Sequence, residues 1–277
     1  SALQANTTAS NNTGLGYQSL LANTTGAGNS AVGKTTLQSN TTGANNTAVG
    51  LQALNGNTTA ADNTAVGMNA LVTNTTGASN TAVGRSALQE NTTASNNTAV
   101  GYHAGYSNTT GAYNTFLGDI AGRDNTTGSA NTAVGYGSMF EGTTTGTSNT
   151  AVGSVSMQNL SSGSYNVAIG TDSLKSNTTA SFNTAVGKSA LGANTVGAYN
   201  VAIGQAALEL DTKGSRSTAI GRAALASQNF TSATDAYNTA VGNNAGINVT
   251  TGVQNTLIGG LAGDANTTGN ENTAVGF

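Results

Sequence analysis

The sequence predicts an all-β protein, a parallel β-solenoid (β-roll) of sixteen coils of about 17 residues each. The motif Asn-Thr-Ala-Val-Gly recurs, with variants, along all 277 residues, and its Gly advances by 17 in thirteen of fifteen intervals. Charged residues make up only 7% of the chain, and Pro and Cys are absent. A register held over the whole chain indicates stacked repeats and argues against both an ordinary globule and a disordered polar segment.

Each coil is too short for a helical repeat, because two helices with their turns need roughly 30 residues or more. Asn, Thr and Gly, which fill most of each unit, are also poor helix formers. The Thr-Ala-Val segment has the alternation of a short strand, with Ala on one face and Thr and Val on the other. We therefore expect two short strands and two turns per coil, stacked at about 4.8 Å.

One coil in the middle of the sequence shows the residues that we expect to form continuous ladders. Val and Leu should stack as apolar ladders inside the solenoid, and Asn as amide ladders along its axis. The Gly residues should mark turns that need positive φ or close backbone approach. The predicted ladder residues of this coil are Asn63, Val66, Gly67, Leu71, Asn74 and Gly77.

The Ala65 position also admits Phe116 and Leu257, so the sequence predicts that this Ala face is not sealed on all sides. Each coil offers few large apolar side chains for burial, and one coil cannot be stable alone. We therefore expect several chains to pack side by side through the Ala face, most simply as a parallel homotrimer. A monomeric solenoid remains the alternative.

The chain is predicted to be a single repeat domain, 1–277, with longer units near 136–153 and 222–242. Insertions in solenoids map to loops and often mark binding sites, so these two units are candidate partner contacts. The alternative is a loop with no binding role. The sequence holds a whole number of coils without polar caps, which solenoids normally need. It is expected to be either a segment of a longer repetitive protein or a subunit that stacks end to end.

The composition argues against several functional classes. The net charge is -3 with no basic patch, which disfavours nucleic acid as a partner. The longest apolar runs fall far short of the roughly 20 residues of a membrane span. His103 is the only His and occupies a variable position, and the Asp residues are scattered without a calcium-binding repeat. We expect no enzyme activity, no catalytic residues, no cofactor and no metal.

Three surface features have both a functional and a structural interpretation. Asn229 and Asn248 lie in N-glycosylation sequons, as do the Asn-Thr-Thr turns, although turn and ladder roles explain the latter. Tyr residues directly before the motif Asn could stack on saccharides or simply pack in turns: Tyr113, Tyr165, Tyr199 and Tyr237. Ice binding is disfavoured, because adjacent Thr75 and Thr76 should point in opposite directions.

The repeat Asn-Thr-Ala-Val-Gly-x-x-Ala-Leu-x-x-Asn-Thr-Thr-Gly resembles those of phage tail fibres and phage-like surface proteins, as does the variant at 114–122. The units at 166–170 and 200–204, Asn-Val-Ala-Ile-Gly, are similar to the head repeats of trimeric autotransporter adhesins, although the period of 17 is longer than theirs. The resemblance implies a left-handed trimeric roll in a structural fibre or stalk, extracellular, at a cell surface or on a virion. It also implies a cell-surface glycan or receptor as a partner. A self-assembling filament subunit and a saccharide- or ice-binding solenoid are the alternatives.

Overall fold

The structure is a computed structural model that describes all 277 residues, and it contains strands and turns but no helix. The chain divides into two compact units, Ser1–Gly137 and Ser138–Phe277. Sixteen three-residue strands, one for each predicted coil, account for nearly all of the regular structure. Since there is no helix, no segment offers the long apolar helix that would cross a membrane.

The first unit contains eight strands, each paired in parallel with the strand one turn away. Successive strands match residue for residue at an offset of 17, as Thr47, Thr64 and Thr81 do. This confirms a parallel β-solenoid. The strands are β1 Thr13–Leu15, β2 Ser30–Val32, β3 Thr47–Val49, β4 Thr64–Val66, β5 Thr81–Val83, β6 Thr98–Val100, β7 Thr115–Leu117 and β8 Thr132–Val134.

The second unit repeats this plan with eight motif strands and adds two short strands that pair with each other. The extra pair, β13 with β15, spans the 21-residue repeat. Its strands are β9 Thr150–Val152, β10 Val167–Ile169, β11 Thr184–Val186, β12 Val201–Ile203, β13 Gly214–Ser215, β14 Thr218–Ile220, β15 Thr234–Asp235, β16 Thr239–Val241, β17 Thr256–Ile258 and β18 Thr273–Val275.

The prediction of two strands per coil was wrong, because ordinary coils contain one strand and the rest is turn. Asn69 and Leu71 have φ of 60° and 50°, a left-handed conformation that an extended strand does not allow. The backbone still bonds to neighbouring turns there: Leu71 N–H donates to Ala87 at 3.1 Å. Each coil is therefore hydrogen-bonded to its neighbours around its circumference without being a regular sheet on every side.

The strand faces are the reverse of the predicted ones. Ala65 is fully buried, whereas Val66 is 37% exposed. The cause is the buried Asn63: with residue 63 pointing inward, strand alternation places residue 65 inside and residues 64 and 66 outside. Val66 does stack on Val49 and Val83, but on the outside, so the prediction of an internal Val ladder and an unsealed Ala face was wrong.

The interior of a coil therefore consists of small residues, one larger apolar side chain and two amides. Ala65, Ala70 and Leu71 are fully buried, and so are Asn63 and Asn74. The Leu71 ladder was correctly placed inside. Gly67 has φ of 135°, and a side chain there would meet the backbone of Gly84 in the next turn, so this position requires Gly.

Two amide ladders border this core. Asn63 Nδ2 donates to Asn46 Oδ1 at 3.2 Å, and Asn74 Nδ2 donates to Asn57 Oδ1 at 3.0 Å. Both amides also donate to the carbonyl of Gly77 at 2.9 Å. The predicted ladder role of Asn63 and Asn74 is confirmed, and the carbonyl of Gly77 joins the two ladders within a turn.

Gly77 itself does not have positive φ. Ala60 occupies the equivalent position one turn earlier and accepts the same two amide bonds, from Asn46 and Asn57, at 2.9 and 3.0 Å. This position requires a carbonyl oxygen placed to accept both amide bonds, together with a small side chain. Gly and Ala both meet this requirement.

Candidate functional site

The most extensive candidate interaction surface is the outward side of the motif strands, which we call the outer face. It consists of the first and third residue of each of the sixteen motif strands, as in Thr64 and Val66. None of these residues is charged: the first is Thr, Ser or Val and the third is Val, Ile or Leu. Within each unit the outer face is therefore a pair of stacked columns, one mainly of Thr and one entirely aliphatic.

The aliphatic column is open to solvent in both units. Val49, Val66 and Leu117 are exposed in the first unit, and Ile169, Ile203 and Ile220 in the second, at 37–47% of their surface. Contiguous exposed apolar surface is uncommon on soluble monomers and marks a contact surface. The columns can cover a flat, uncharged partner, and they bring together no nucleophile, acid or base.

A second feature is confined to the second unit and lies at the position directly before the motif Asn, which is replaced by Ser217 in one turn. In five successive turns this position carries an aromatic residue or Arg, and we call the set the aromatic–arginine ladder: Tyr165, Phe182, Tyr199, Arg216 and Tyr237. The rings of Tyr165 and Phe182 are 5.1 Å apart and inclined by 6°; those of Phe182 and Tyr199 are 5.0 Å apart and inclined by 4°. The Arg216 guanidinium lies 4.9 Å from the Tyr199 ring centre and 5.8 Å from that of Tyr237.

This ladder is exposed, but its ring faces are not. Tyr165, Phe182 and Tyr199 retain 47–56% of their surface, while the parallel stacking closes the ring faces between neighbouring turns. Saccharide recognition by stacking uses ring faces, so the interior of the ladder presents only ring edges and hydroxyls to a partner. Tyr165, Tyr199 and Tyr237 were predicted from the sequence as a candidate surface, whereas Phe182 and Arg216, which occupy the same coil position, were not.

Backbone strain accompanies the ladder. Tyr165, Phe182, Tyr199 and Arg216 have φ of 59–62°, a left-handed conformation that Asn, Asp and Gly adopt more readily than bulky residues. Asn45 and Asn96 occupy the same position in the first unit. The same φ occurs at this coil position in other turns, as at Ser79 and Ala130, so the conformation belongs to the fold, and ring stacking supports the aromatic residues that adopt it.

His103 belongs to a different cluster in the first unit. Its imidazole stacks on Tyr102 at 3.9 Å and lies 4.9 Å from the Tyr106 ring. Burial lowers the pKa of His103, the charges of Arg85 and Arg123 lower it further, and Asp119 opposes them. The neutral imidazole is favoured, which suits a stacking role. His103 is half-buried and packs in an aromatic cluster rather than standing free on the surface.

The charged groups form no metal site, since no three His, Asp or Glu side chains cluster. Asp211 is the one fully buried acidic residue and replaces an Asn of the amide ladder. A groove of about 320 Å³ in the second unit is lined by Asp172, Lys175, Ser189 and Glu209 among others, and Lys175 Nζ there pairs with Asp172 Oδ1 at 3.1 Å. This pairing compensates two of the three charges that line the groove.

The sequons separate into buried and exposed sites. Asn74 and the equivalent Asn residues of the interior turns are fully buried and hydrogen-bonded, so the folded chain does not present them to a glycosyltransferase. Asn6 and Asn266, at the equivalent position in the terminal turns, are half-buried. Asn229 and Asn248 are exposed. Asn229 accepts a bond from Thr212 Oγ1 at 3.0 Å, and Asn248 Nδ2 donates to the Asp264 carbonyl at 2.8 Å. Glycosylation at these two positions stays a prediction.

Of the two longer repeats, the one at 222–242 contains a loop in which Thr231, Ser232 and Ala233 are exposed, while Phe230 is buried. The loop is anchored by its Phe and offers only small side chains to solvent. Its role as a partner contact stays a prediction.

Comparison with known proteins provides no family assignment: neither a protein-family model nor a curated protein matches the chain.

Proposed function

We propose that the chain is a structural shaft segment of an extracellular or virion appendage, such as a tail fibre or adhesin stalk, that supports surface attachment. In this proposal the shaft is a left-handed, parallel homotrimer. The observation that carries it is the outer face, with an exposed aliphatic column and no charge in any motif strand. Such a face is costly to leave in water and suits burial against a copy of itself.

Self-association would also compensate for the small amount of apolar surface that each coil buries in its own core. Most buried apolar residues in a coil are Ala, and one Leu or Met usually supplies the only large side chain. Burial of the outer face would add one aliphatic side chain per turn from each copy. In a parallel arrangement equivalent turns meet, and the uncharged columns bring no like charges together.

The test is the mass of the purified chain in solution by sedimentation or light scattering. We expect three times the chain mass of 27.0 kDa. The triple variant Val49→Lys/Val66→Lys/Val83→Lys places charges on the outer face and should give a folded monomer. The matched control is Thr42→Lys/Thr59→Lys/Thr76→Lys, which changes exposed residues at the same spacing outside the strands and should remain trimeric.

A monomeric wild-type chain at micromolar concentration, or a face variant that associates as the control does, would exclude the self-association on which the shaft depends. Electron microscopy of native material separates a shaft from the filament alternative: a shaft ends in a distinct tip, and a filament extends indefinitely.

One observation favours a second candidate, an ice-binding face. Thr64 and Val66, two apart on one strand, both point outward and repeat in register. The adjacent Thr75 and Thr76 are both exposed as well, so the prediction that they point in opposite directions was wrong. A flat, regular column of Thr beside an aliphatic column can order water. Thermal hysteresis of the monomeric chain measures this activity, and its absence removes the candidate.

A further inference from the structure

The repeating outer face does not by itself define how two copies of the chain align along their length. Every turn presents nearly the same pair of side chains, so two copies displaced by one turn still match Thr to Thr and Val to Val. Register is weakly specified wherever a repeating face gives no unique partner. A shaft of defined length needs at least one feature that occurs only once along the chain.

We propose that the aromatic–arginine ladder, Tyr165, Phe182, Tyr199, Arg216 and Tyr237, sets the axial register between copies of this chain. This inference rests on the proposed self-association and names the contact that aligns it. No other part of the chain carries aromatic or Arg side chains at the same coil position in five successive turns.

The ladder lies next to the outer face. Tyr165 precedes the outward Val167 by two residues, and Tyr199 precedes Val201 by two. In these two turns Val replaces the usual Thr, and Ile replaces Val at the third strand position. The ladder and the most apolar stretch of the outer face therefore coincide in the same turns, which marks this stretch as different from the rest of the repeat.

A second copy of the chain is the occupant that the geometry favours. The exposed ring edges form ribs 5.0 and 5.1 Å apart, and a complementary surface must carry the same period. Another parallel solenoid has that period, since its strands are spaced by about 4.8 Å. A globular protein has no such repeat, and the stacked rings leave a glycan no ring face between turns on which to stack.

The charge on the ladder is already compensated. Arg216 Nε lies 3.2 Å from Asp235 Oδ1, and the guanidinium is also held between the rings of Tyr199 and Tyr237. Copies of Arg216 that meet at the same level in a parallel assembly would therefore not approach as bare cations.

The test compares the mass distribution of the full chain with that of a ladder variant, Tyr165→Asn/Phe182→Asn/Tyr199→Asn, by native mass spectrometry and mass photometry. Asn is the residue found at the same position in turns of the first unit, so the variant should keep its β circular dichroism. The matched control is Tyr17→Asn/Tyr113→Asn/Tyr136→Asn, which removes three exposed tyrosines outside the ladder.

We expect a single assembly mass for the wild type and the control. The ladder variant should lose that single mass and give a series of larger multiples, because staggered copies leave uncovered outer face that recruits further chains. Electron micrographs of the variant should show ragged ends in place of flush ones.

A ladder variant that keeps the single wild-type mass would overturn the inference while leaving the proposed shaft intact. A folded ladder variant that becomes monomeric would also overturn it, because the ladder would then supply affinity and not alignment. A monomeric wild type would remove the proposed function, and with it the need for a register contact.

Discussion

At the scale of single residues, the fold depends on side chains that bond along the stacking axis. The Asn63 amide donates to the turn before it and to a carbonyl of its own turn, so one residue joins two turns and two ladders. Buried polar groups are stabilising only where their hydrogen bonds are satisfied. A residue that breaks this pattern should therefore be visible in the stability of the protein.

Asp211 is such a residue. It accepts bonds from the Gly214 N–H at 3.0 Å and from Gln228 Nε2 at 2.6 Å. One turn earlier, Asn194 Oδ1 is buried and has no hydrogen-bond partner, and an ionised carboxylate has no proton to offer it. Burial raises the pKa of the Asp211 carboxyl, and the bonds from Gln228, Gly214 and Phe230 only partly oppose this effect.

We predict that Asp211→Asn stabilises the protein at neutral pH by about 1–3 kcal/mol, the usual cost of an unsatisfied buried group. A folded pKa above the ordinary value of 3.8 means that the protonated form is the one favoured by folding. The stability that the protonated Asp211 carboxyl contributes is fully present below pH 3.8 and is lost as the pH rises through the pKa of this group in the folded protein. Denaturant unfolding from acid to neutral pH should therefore show that the free energy of unfolding of the variant rises relative to that of the wild type as the pH increases.

The control for this prediction is Asp62→Asn, which removes the same charge from an exposed turn position where Asn45 already occurs one turn earlier. If both substitutions change the pH profile of unfolding equally, the effect belongs to net charge and not to the buried ladder.

At the scale of the strand and its turn, a large residue at one position of the narrow core is accompanied by small residues at the positions that it contacts. Phe116 replaces the usual inward Ala of a motif strand and is fully buried. The Leu position of its own turn is Gly122, and that of the turn before is Gly105; a side chain at either Gly would meet the Phe116 ring. Leu257 has the same relation to Gly246 and Gly263.

We predict that Phe116→Ala lowers the free energy of unfolding by about 3–5 kcal/mol, because it leaves a cavity between two glycines. Gly122→Leu alone should cost about 1–3 kcal/mol or more through overpacking. The triple variant Phe116→Ala/Gly105→Leu/Gly122→Leu recreates two ordinary turns and should recover most of the loss. Thermal and denaturant unfolding of the single and triple variants measures the coupling, and additive losses would contradict it.

At the scale of the whole molecule, the chain is a sum of nearly identical turns in which each contacts mainly its neighbours. Length should therefore be adjustable in steps of one turn and not in other steps. This follows from the constant offset of 17 between paired residues, since any other offset would exchange the inward and outward faces or break the amide ladders.

We predict that deletion of residues 47–63, which joins Asn46 to Thr64, gives a folded solenoid with one turn fewer and a slightly smaller denaturant m-value. Deletion of residues 47–54 should instead disrupt the adjoining turns and broaden or split the unfolding transition. Circular dichroism and urea unfolding of both variants test this difference. Equal behaviour of the two deletions would contradict a fixed register.

The sequence by itself determined the repeat, its period, the parallel stacking and the Asn and Leu ladders. Each of these follows from residues that recur at a constant spacing, and a constant spacing requires equivalent positions to lie over one another. The three tyrosines of the aromatic–arginine ladder were also predicted as a surface feature, from their place before the motif Asn.

Only the tertiary structure decided which face of each strand lies inside. Thr-Ala-Val has the same alternation in either orientation, and the larger Val appeared to be the better core residue. The buried Asn63 amide and the left-handed turn at residues 69 and 71 fix the opposite choice, because a coil whose Leu also points inward has room for Ala but not for Val at the strand position. The stacking of Phe182 and Arg216 into the tyrosine ladder was likewise decided by the proximity of successive turns, which aligns residues 17 or more apart in the chain.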